Sequence, residues 1–303
     1  MEIRTLRYVV AIADCKNLTK AAEALYVGQP TLSKSLAAAE EKLGLKLFRK
    51  VGHTYMPTPA GQRFVEKARE ILRLNEDLDT EMSDILKRNE GELNISFANM
   101  RGSYMLPVVL PAFHRRFPNV RVNVFEGSSD ENDRRLLEGR IDIAFYTEPH
   151  EPDSRIEYTP LTREELLVCA SAGSPLTRLV KSDPGSRYPG LDLTLIRDEL
   201  VIMMRPEQRT RQIVDSILRE KRLRFEKVLY SSNIYTILGL IAAGYGISFV
   251  FDSHLRHRND TAPIECFRIE DARTEYDFVA ATRRGAYLSP YGMDFIETVR
   301  SAI

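Results

Sequence analysis

Residues 18–50 read LTKAAEALYVGQPTLSKSLAAAEEKLGLKLFRK, and this stretch decides how the chain begins to fold. Asn17 or Thr19 can cap a helix running to about Leu25, because a short polar side chain accepts from amides that a helix start leaves orphaned. Val27-Gly28 breaks it. Pro30 then falls in the first turn of the next helix, where its missing N–H does no harm, and Leu32, Leu36, Ala39 and Leu43 recur at helical spacing as one core-facing stripe. Gly44 ends that helix. Upstream, Arg4 to Asp14 places Leu6, Val9, Val10 and Ala13 on one face of an earlier helix. Two short helices joined by a tight turn containing Gly, the second opening in small polar residues, make the helix-turn-helix pattern.

With the leucines inward, the opposite face of the second helix shows Gln29, Thr31, Ser33, Lys34 and Ser35. That face suits a major groove: Gln pairs with an adenine edge, Ser and Thr bond bases or phosphates, and Lys neutralises phosphate. Beyond it, Leu47-Phe48 is apolar, Arg49 and Lys50 are cationic, and Val51 to Pro57 (VGHTYMP) reads as a hairpin bent at Gly52, a basic wing. Any one of these residues alone reads more simply as a solvated helix surface. The whole arrangement points to DNA.

The run from Leu6 to Gly61 resembles the winged helix-turn-helix of LysR-type transcriptional regulators, through LRYVVAIAD, LTKAAEALYVGQPTLSKSLAAAEEKLGLKLFRK and TPAGQ. The resemblance implies DNA contacts from Gln29, Pro30, Ser33 and Lys34, with Thr31 nearby, Arg49 and Lys50 beside them, and His53 at a wing position that is usually Arg. Gly28 stands where that family usually has a capping Ser, and Pro57 replaces an apolar Leu.

From Ala60 to Arg88 there is no internal Pro, and Phe64, Ala68, Ile71, Asn75, Leu78, Met82 and Ile85 alternate at spacings of four and three, a coiled-coil seam. A helix of about 43 Å needs a partner along such a stripe, most simply a second copy, which predicts a homodimer with a tetramer left open. Packing of the helix on its own body is the alternative.

After Gly91 strands and helices alternate. Leu93 to Ala98, Val120 to Glu126 and Ile141 to Tyr146 read as strands, separated by helices Tyr104 to Phe117 and Asp130 to Glu138, a βαβαβ unit. The order repeats with strands near Leu200 to Met204, Phe225 to Tyr230 and Ile247 to Phe251, and helices near Thr210 to Lys221 and Ile234 to Ala243. Crossings near Leu161 to Val168 and Cys266 to Asp271 join two lobes, and the strand Asp277 to Ala281 and helix Pro290 to Ala302 return to the first. Two such lobes resemble the effector domain of the same family, itself similar to periplasmic binding proteins. The expected fold is an α+β multidomain chain: a winged helix-turn-helix (1–59), a linker helix (60–90) and a two-lobed α/β effector-binding domain (91–303). Its first lobe takes 91–161 and 267–303, its second 162–266.

Ligands of open parallel sheets bind beyond the carboxyl ends of the strands, against helix N-termini. Those ends are Asn99, Arg101, Gly102 and Ser103; Ser128 and Ser129; Thr147; Met204 and Arg205; and Ser231, Ser232 and Asn233. Hydroxyls, amides and helix ends suit a small anion, and Arg101 or Arg205 could clamp a carboxylate. For at least half of the Ser and Asn residues, helix capping alone is the simpler role.

Composition sets the outer limits. With 303 residues, 43% hydrophobic and 28% charged, the chain is an ordinary folded protein. No long apolar run or leader is evident, so the cytoplasm is the default. The net charge of zero hides an asymmetry, since residues 1–60 carry nine Lys or Arg against five Asp or Glu while residues 91–303 carry 28 against 30. A basic head sits on a neutral body, as expected when only one domain meets phosphate. Cys15, Cys169 and Cys266 lie far apart and read as small core residues, and His254 and His257, flanked by Arg256 and Arg258, read as a basic loop rather than a metal site. Glycine-based phosphate loops and a nucleophile elbow are absent, so no enzyme, cofactor or metal is expected. A solute-binding protein or small-molecule enzyme on the same lobes is the competing reading.

Overall fold

Four helices of the head share one small apolar centre. α1 (Ile3–Cys15), α2 (Leu18–Ala24), α3 (Gln29–Leu43) and the start of α4 (Pro59–Leu86) converge on Val9, Ile12, Ala21, Leu32, Leu36 and Leu47. Between α3 and α4, β1 (Phe48–Val51) and β2 (Thr54–Pro57) form an antiparallel hairpin, with Gly52 left-handed at its bend (φ 62°). The computed structural model describes residues 1–52, 54–86, 90–181, 185–256 and 263–303, with the backbone alone at 80, 83–86, 99 and 100. They fall into two units, Met1–Leu86 and Lys87–Ile303.

Two expectations for the head change. Gly28 does not make the bend between α2 and α3: it sits at φ −70° as the N-cap of α3, and Tyr26, 96% exposed, takes the left-handed conformation at φ 54°. Leu43 is not a core position. It is 37% exposed, because α3 stops at left-handed Gly44 and the returning chain inserts Leu47 instead, while Glu40 turns inward. Along α4, Val65 and Ala68 are buried and Arg69 pairs with Asp14 of α1, but Ile71, Leu74, Leu78 and Met82 are at least 45% exposed. Asn75 donates to Asp79 at 3.0 Å, and the side chain of Ile85 lies outside the described residues.

In the second unit, β3 (Gly91–Ala98), α5 (Asn99–Arg116), β4 (Val120–Gly127), α6 (Ser129–Leu137) and β5 (Ile143–Thr147) form the βαβαβ unit, with β4 and β5 parallel to β3 on either side. α5 begins five residues earlier than Tyr104 and runs through Pro107 and Pro111. β6 (Ile156–Ser171) then passes from one lobe to the other as a single strand. The second lobe adds β7 (Gly190–Leu191), β8 (Val201–Met203), α7 (Arg209–Glu220), β9 (Val228–Tyr230), α8 (Ile234–Ala242), β10 (Ile247–Phe251), α9 (Asp252–Arg256) and β11 (Ile264–Ile269). β12 (Glu275–Arg283) and α10 (Pro290–Ser301) return to the first.

The sheet order β4-β3-β5-β12-β6-β10-β8-β9 is continuous across both lobes. β12 pairs with the first part of β6, whereas β10 and β11 pair with its second part. β11 therefore belongs to the second lobe, and the first lobe is re-entered at β12 rather than at residue 267. Each lobe has its own core: Phe97, Phe113, Phe145, Phe278 and Phe295 in the first, Leu166, Val168, Ile213, Phe249 and Phe251 in the second. Among the described residues no helix is long and apolar enough to cross a membrane.

Candidate functional site

The outward face of α3 carries Gln29, Pro30, Thr31 and Lys34, all exposed, with Ser33 and Ser35 half-buried. Arg49 and Lys50 are exposed on β1, and His53 lies outside the described residues. The hairpin is fixed to the helices at several points. Glu40, buried on the inner side of α3, accepts from the backbone N–H of Leu47 (2.9 Å) and Phe48 (3.2 Å) and from Lys46 Nζ (2.6 Å). Burial pushes its carboxyl up, but these bonds outweigh burial and hold it below the usual glutamate value. Thr58 Oγ1 donates to the Lys46 carbonyl at 2.7 Å and accepts from Gly61 N–H at 3.0 Å, and Tyr55 N–H donates to the Lys16 carbonyl at 2.9 Å. Gly61 has to be glycine, since a Cβ there would overlap the Leu47 carbonyl. Nothing local in the sequence signals the inward turn of Glu40.

A cavity of about 50 Å³ opens between the lobes. The first lobe lines it with Ala98, Arg101, Gly127, Ser128, Ser129 and Thr147; the second adds Met204, Gln208, Arg209, Thr210 and His254. Of the strand-end candidates, Arg101, Ser128, Ser129, Thr147 and Met204 lie together on this cavity. Asn99 opens α5, though its side chain is not described, and Gly102, Ser103, Arg205, Ser231 and Asn233 are not on the wall. Ser231 and Asn233 serve the start of α8: Asn233 N–H donates to Ser231 Oγ at 3.3 Å, and Asn233 Oδ1 accepts from Tyr235 N–H at 2.9 Å. Arg205 is exposed and its N–H donates to Gln208 at 3.1 Å, while Ser103 Oγ lies 3.4 Å from Tyr235 Oη.

Arg101 is on the wall but is not a clamp waiting for a carboxylate. It already holds one: Nη1 and Nη2 donate to Glu164 at 2.5 and 2.8 Å, Nη2 reaches Thr147 Oγ1 at 3.3 Å, and the guanidinium stacks 4.1 Å above Phe278. Both partners are buried. Burial raises the Glu164 carboxyl, yet the Arg101 charge more than reverses this and holds it below the ordinary value, so the pair stays ionised. Glu164 sits on β6 where that strand passes between the lobes, a pairing across 63 positions that sequence spacing cannot show.

A second cation on the wall, likewise paired but less buried than Arg101, is Arg209, at the start of α7. Its Nη2 donates to Asp133 of α6 at 3.0 Å, its Nη1 to Gln212 at 3.0 Å, and its guanidinium lies 5.8 Å from the Tyr146 ring centre. Tyr146 Oη also donates to Asp133, and Gln212 Nε2 donates to Asp130 at 2.9 Å, so two polar contacts tie α7 to α6 across the cleft. Burial pushes the Asp133 carboxyl up, only partly offset by Tyr146 and Arg209. Gln208, Arg209 and Thr210 are not among the strand-end candidates because the chain travels several residues past β8 before α7 begins, and His254 comes from α9, which follows β10 directly. His257 lies outside the described residues, among which no cluster of three or more potential metal ligands occurs.

Residues 3–62 match the family model described as a bacterial regulatory helix-turn-helix protein of the lysR family, and residues 87–303 match the LysR substrate binding domain. The chain belongs to the LysR family. It is a LysR-type DNA-binding transcriptional regulator with an effector-binding domain. The transcriptional regulator BenM of Acinetobacter baylyi is 30% identical over 252 residues, covering 82% of this chain and 80% of that protein. A crystal structure of full-length CbnR complexed with its target DNA is 25% identical, with a TM-score of 0.57 over 100% of both chains. A full-length OxyR variant from Pseudomonas aeruginosa shares the fold at a TM-score of 0.67 and 22% identity, covering 100% of this chain and 94% of that one. The two lobes and their cleft are thus those of a LysR effector-binding domain, and the α3 face belongs to its DNA-binding head.

Proposed function

We propose that this LysR-type regulator reads its operator through the start of α3. Gln29 addresses base edges, Pro30, Thr31 and Ser33 line the groove, and Lys34, Arg49, Lys50 and His53 meet phosphate. The observation that carries this reading is the division of α3, with Leu32 and Leu36 buried while Gln29, Thr31 and Lys34 face solvent. Residues 1–59 act as the DNA-binding domain, 60–90 as the dimerisation helix and 91–303 as the effector domain. A second copy covers Ile71, Leu74, Leu78 and Met82 of α4 and supplies the second head that a two-half-site operator needs.

The effector is a small anion, a carboxylate by preference, received by the hydroxyls of Ser128, Ser129, Thr147 and Thr210 and by Arg209. An incoming anion competes with Asp133 for Arg209, so binding favours lobe arrangements in which that contact is exchanged, the differential affinity that allostery requires.

Fluorescence anisotropy with operator DNA tests the first part. Affinity is expected to fall at least tenfold between 50 and 200 mM salt, as for several phosphate contacts; salt-insensitive binding would sink it. A thermal-shift screen of carboxylates against neutral analogues tests the second. Acids should raise the transition in the wild type and not in Arg209→Gln, and a shift from neutral compounds alone would overturn the anionic assignment.

A further inference from the structure

Cys169 and Cys266 are remote in sequence, yet β6 and β11 pair them directly, Cys266 opposite Cys169 in an antiparallel register with the sulfurs 3.3 Å apart. Neither is in a disulfide. The hydrogen bonds of the ladder show what kind of pair this is. Ala172 N–H donates to the Pro263 carbonyl at 3.2 Å, so 172 and 263 form a hydrogen-bonded pair, and strict alternation makes Cys169 and Cys266 a non-hydrogen-bonded one. In such pairs the Cα atoms approach to about 4.5 Å, inside the range of roughly 4.4–6.8 Å that a disulfide spans. Closing the gap to a bond of about 2.05 Å therefore needs side-chain rotation rather than strand movement.

The two thiols differ in access. Cys169 is fully buried among Leu167, Ile237 and Ile241, whereas Cys266 is half-buried at the rim of the same cluster. A reagent from solvent meets Cys266 first.

We propose that Cys169 and Cys266 are a reversible dithiol–disulfide couple, a redox modification site in the second lobe that exchanges with small disulfides. The Cys266 thiolate attacks one sulfur of a small disulfide and forms a mixed disulfide; the other half leaves as a thiolate and takes up the proton Cys266 released. Cys169, deprotonated in turn, attacks the Cys266 sulfur and expels the second half as a thiol. Two protein thiols are oxidised, one small disulfide is reduced to two thiols, and no atom is left over. The bond fastens together the strands by which the second lobe is joined to the first, since β6 continues into the first lobe and β11 leads through residues 270–274 to β12. In a reducing compartment the pair rests as thiols, and the clip forms only as the glutathione balance shifts.

The test equilibrates the full chain in glutathione buffers from fully reduced to fully oxidised, traps thiols by alkylation and maps tryptic peptides by mass spectrometry. The expected result is an intramolecular link between peptides 164–178 and 259–268, reversed by reduced glutathione, with a higher thermal transition for the oxidised chain. Cys169→Ser should arrest the exchange as a glutathione adduct on Cys266, and Cys266→Ser should leave Cys169 a thiol. Alkylation of both cysteines at the most oxidising ratio, or links made only through Cys15 or between chains, would overturn the proposal. Because the decisive map is made on the unsubstituted protein, a variant that fails to fold does not blunt it.

Discussion

The DNA-facing head and the effector cleft use charge in opposite ways. Lys34, Arg49 and Lys50 stand in solvent within one short stretch of chain, where they add little to folding and leave their charge open to a polyanion. In the cleft the charges are withdrawn and paired: Arg101 reaches Glu164, and Arg209 reaches Asp133, each across a long sequence separation. Exposed charge is free to choose a ligand, whereas buried charge is first committed to the fold. The lesson is that an arginine at the end of a strand has to be tested for a partner before it is counted as a ligand clamp.

That contrast breaks first, if it breaks, at Arg101. Arg101→Met leaves the Glu164 carboxylate buried alone, which should cost ~3–5 kcal/mol in urea denaturation followed by circular dichroism. Adding Glu164→Leu should restore most of it. A double variant no more stable than the single one would show that the ion pair is not what the cleft depends on.

In the head the corresponding buried carboxylate is Glu40, and Glu40→Gln should cost ~1–3 kcal/mol through the weakened bonds to Leu47, Phe48 and Lys46. Because the folded carboxyl lies below its ordinary value, its contribution is complete above the usual glutamate range and is lost as pH falls through the depressed folded value. Hydrogen exchange in peptides covering residues 36–50 should therefore show acid weakening in the wild type and a flatter pH profile in the variant. Equal profiles would sever the wing from Glu40.

Exposed charge should behave otherwise. Lys34→Ala is expected to leave the thermal transition unchanged within ~0.5 kcal/mol and to lower the salt slope of DNA binding by about one. A folding defect in this variant would contradict the contrast from the other side. The smallest effect is expected at Gly28, where an added Cβ would meet only Pro30 and Thr31 side chains at 3.7 Å. Gly28→Ser should stabilise α3 by a few tenths of a kcal/mol by supplying the missing cap, measured as the same urea midpoint.

The difference between the two regions also sets what could be read from sequence. Helical periodicity located α1, α2 and α3 and the outward polar face, because Leu32 and Leu36 are placed by spacing alone. It failed at Leu43 and was silent on Glu40, where the chain reverses at Gly44 and the contact is made by backbone that follows. In the body, the alternation of strands and helices marked out the lobes, and of the strand-end residues Ser128, Ser129 and Thr147 lie on the cavity wall. Glu164, Arg209 and the Cys169–Cys266 pair were illegible, since each depends on which strands lie side by side or which helix lies across the cleft. Spacing along one element carries no information about its neighbours.

The continuity of β6 has a mechanical consequence. A loop between two bodies lets them swing at almost no elastic expense, but here the lobes share one strand, Ile156–Ser171, paired with β12 in its first part, across one register shift at Leu161, and with β10 and β11 in its second. Relative rotation of the lobes has to be taken up as extra twist along that strand, like torsion in a bar, so the restoring force grows with the angle.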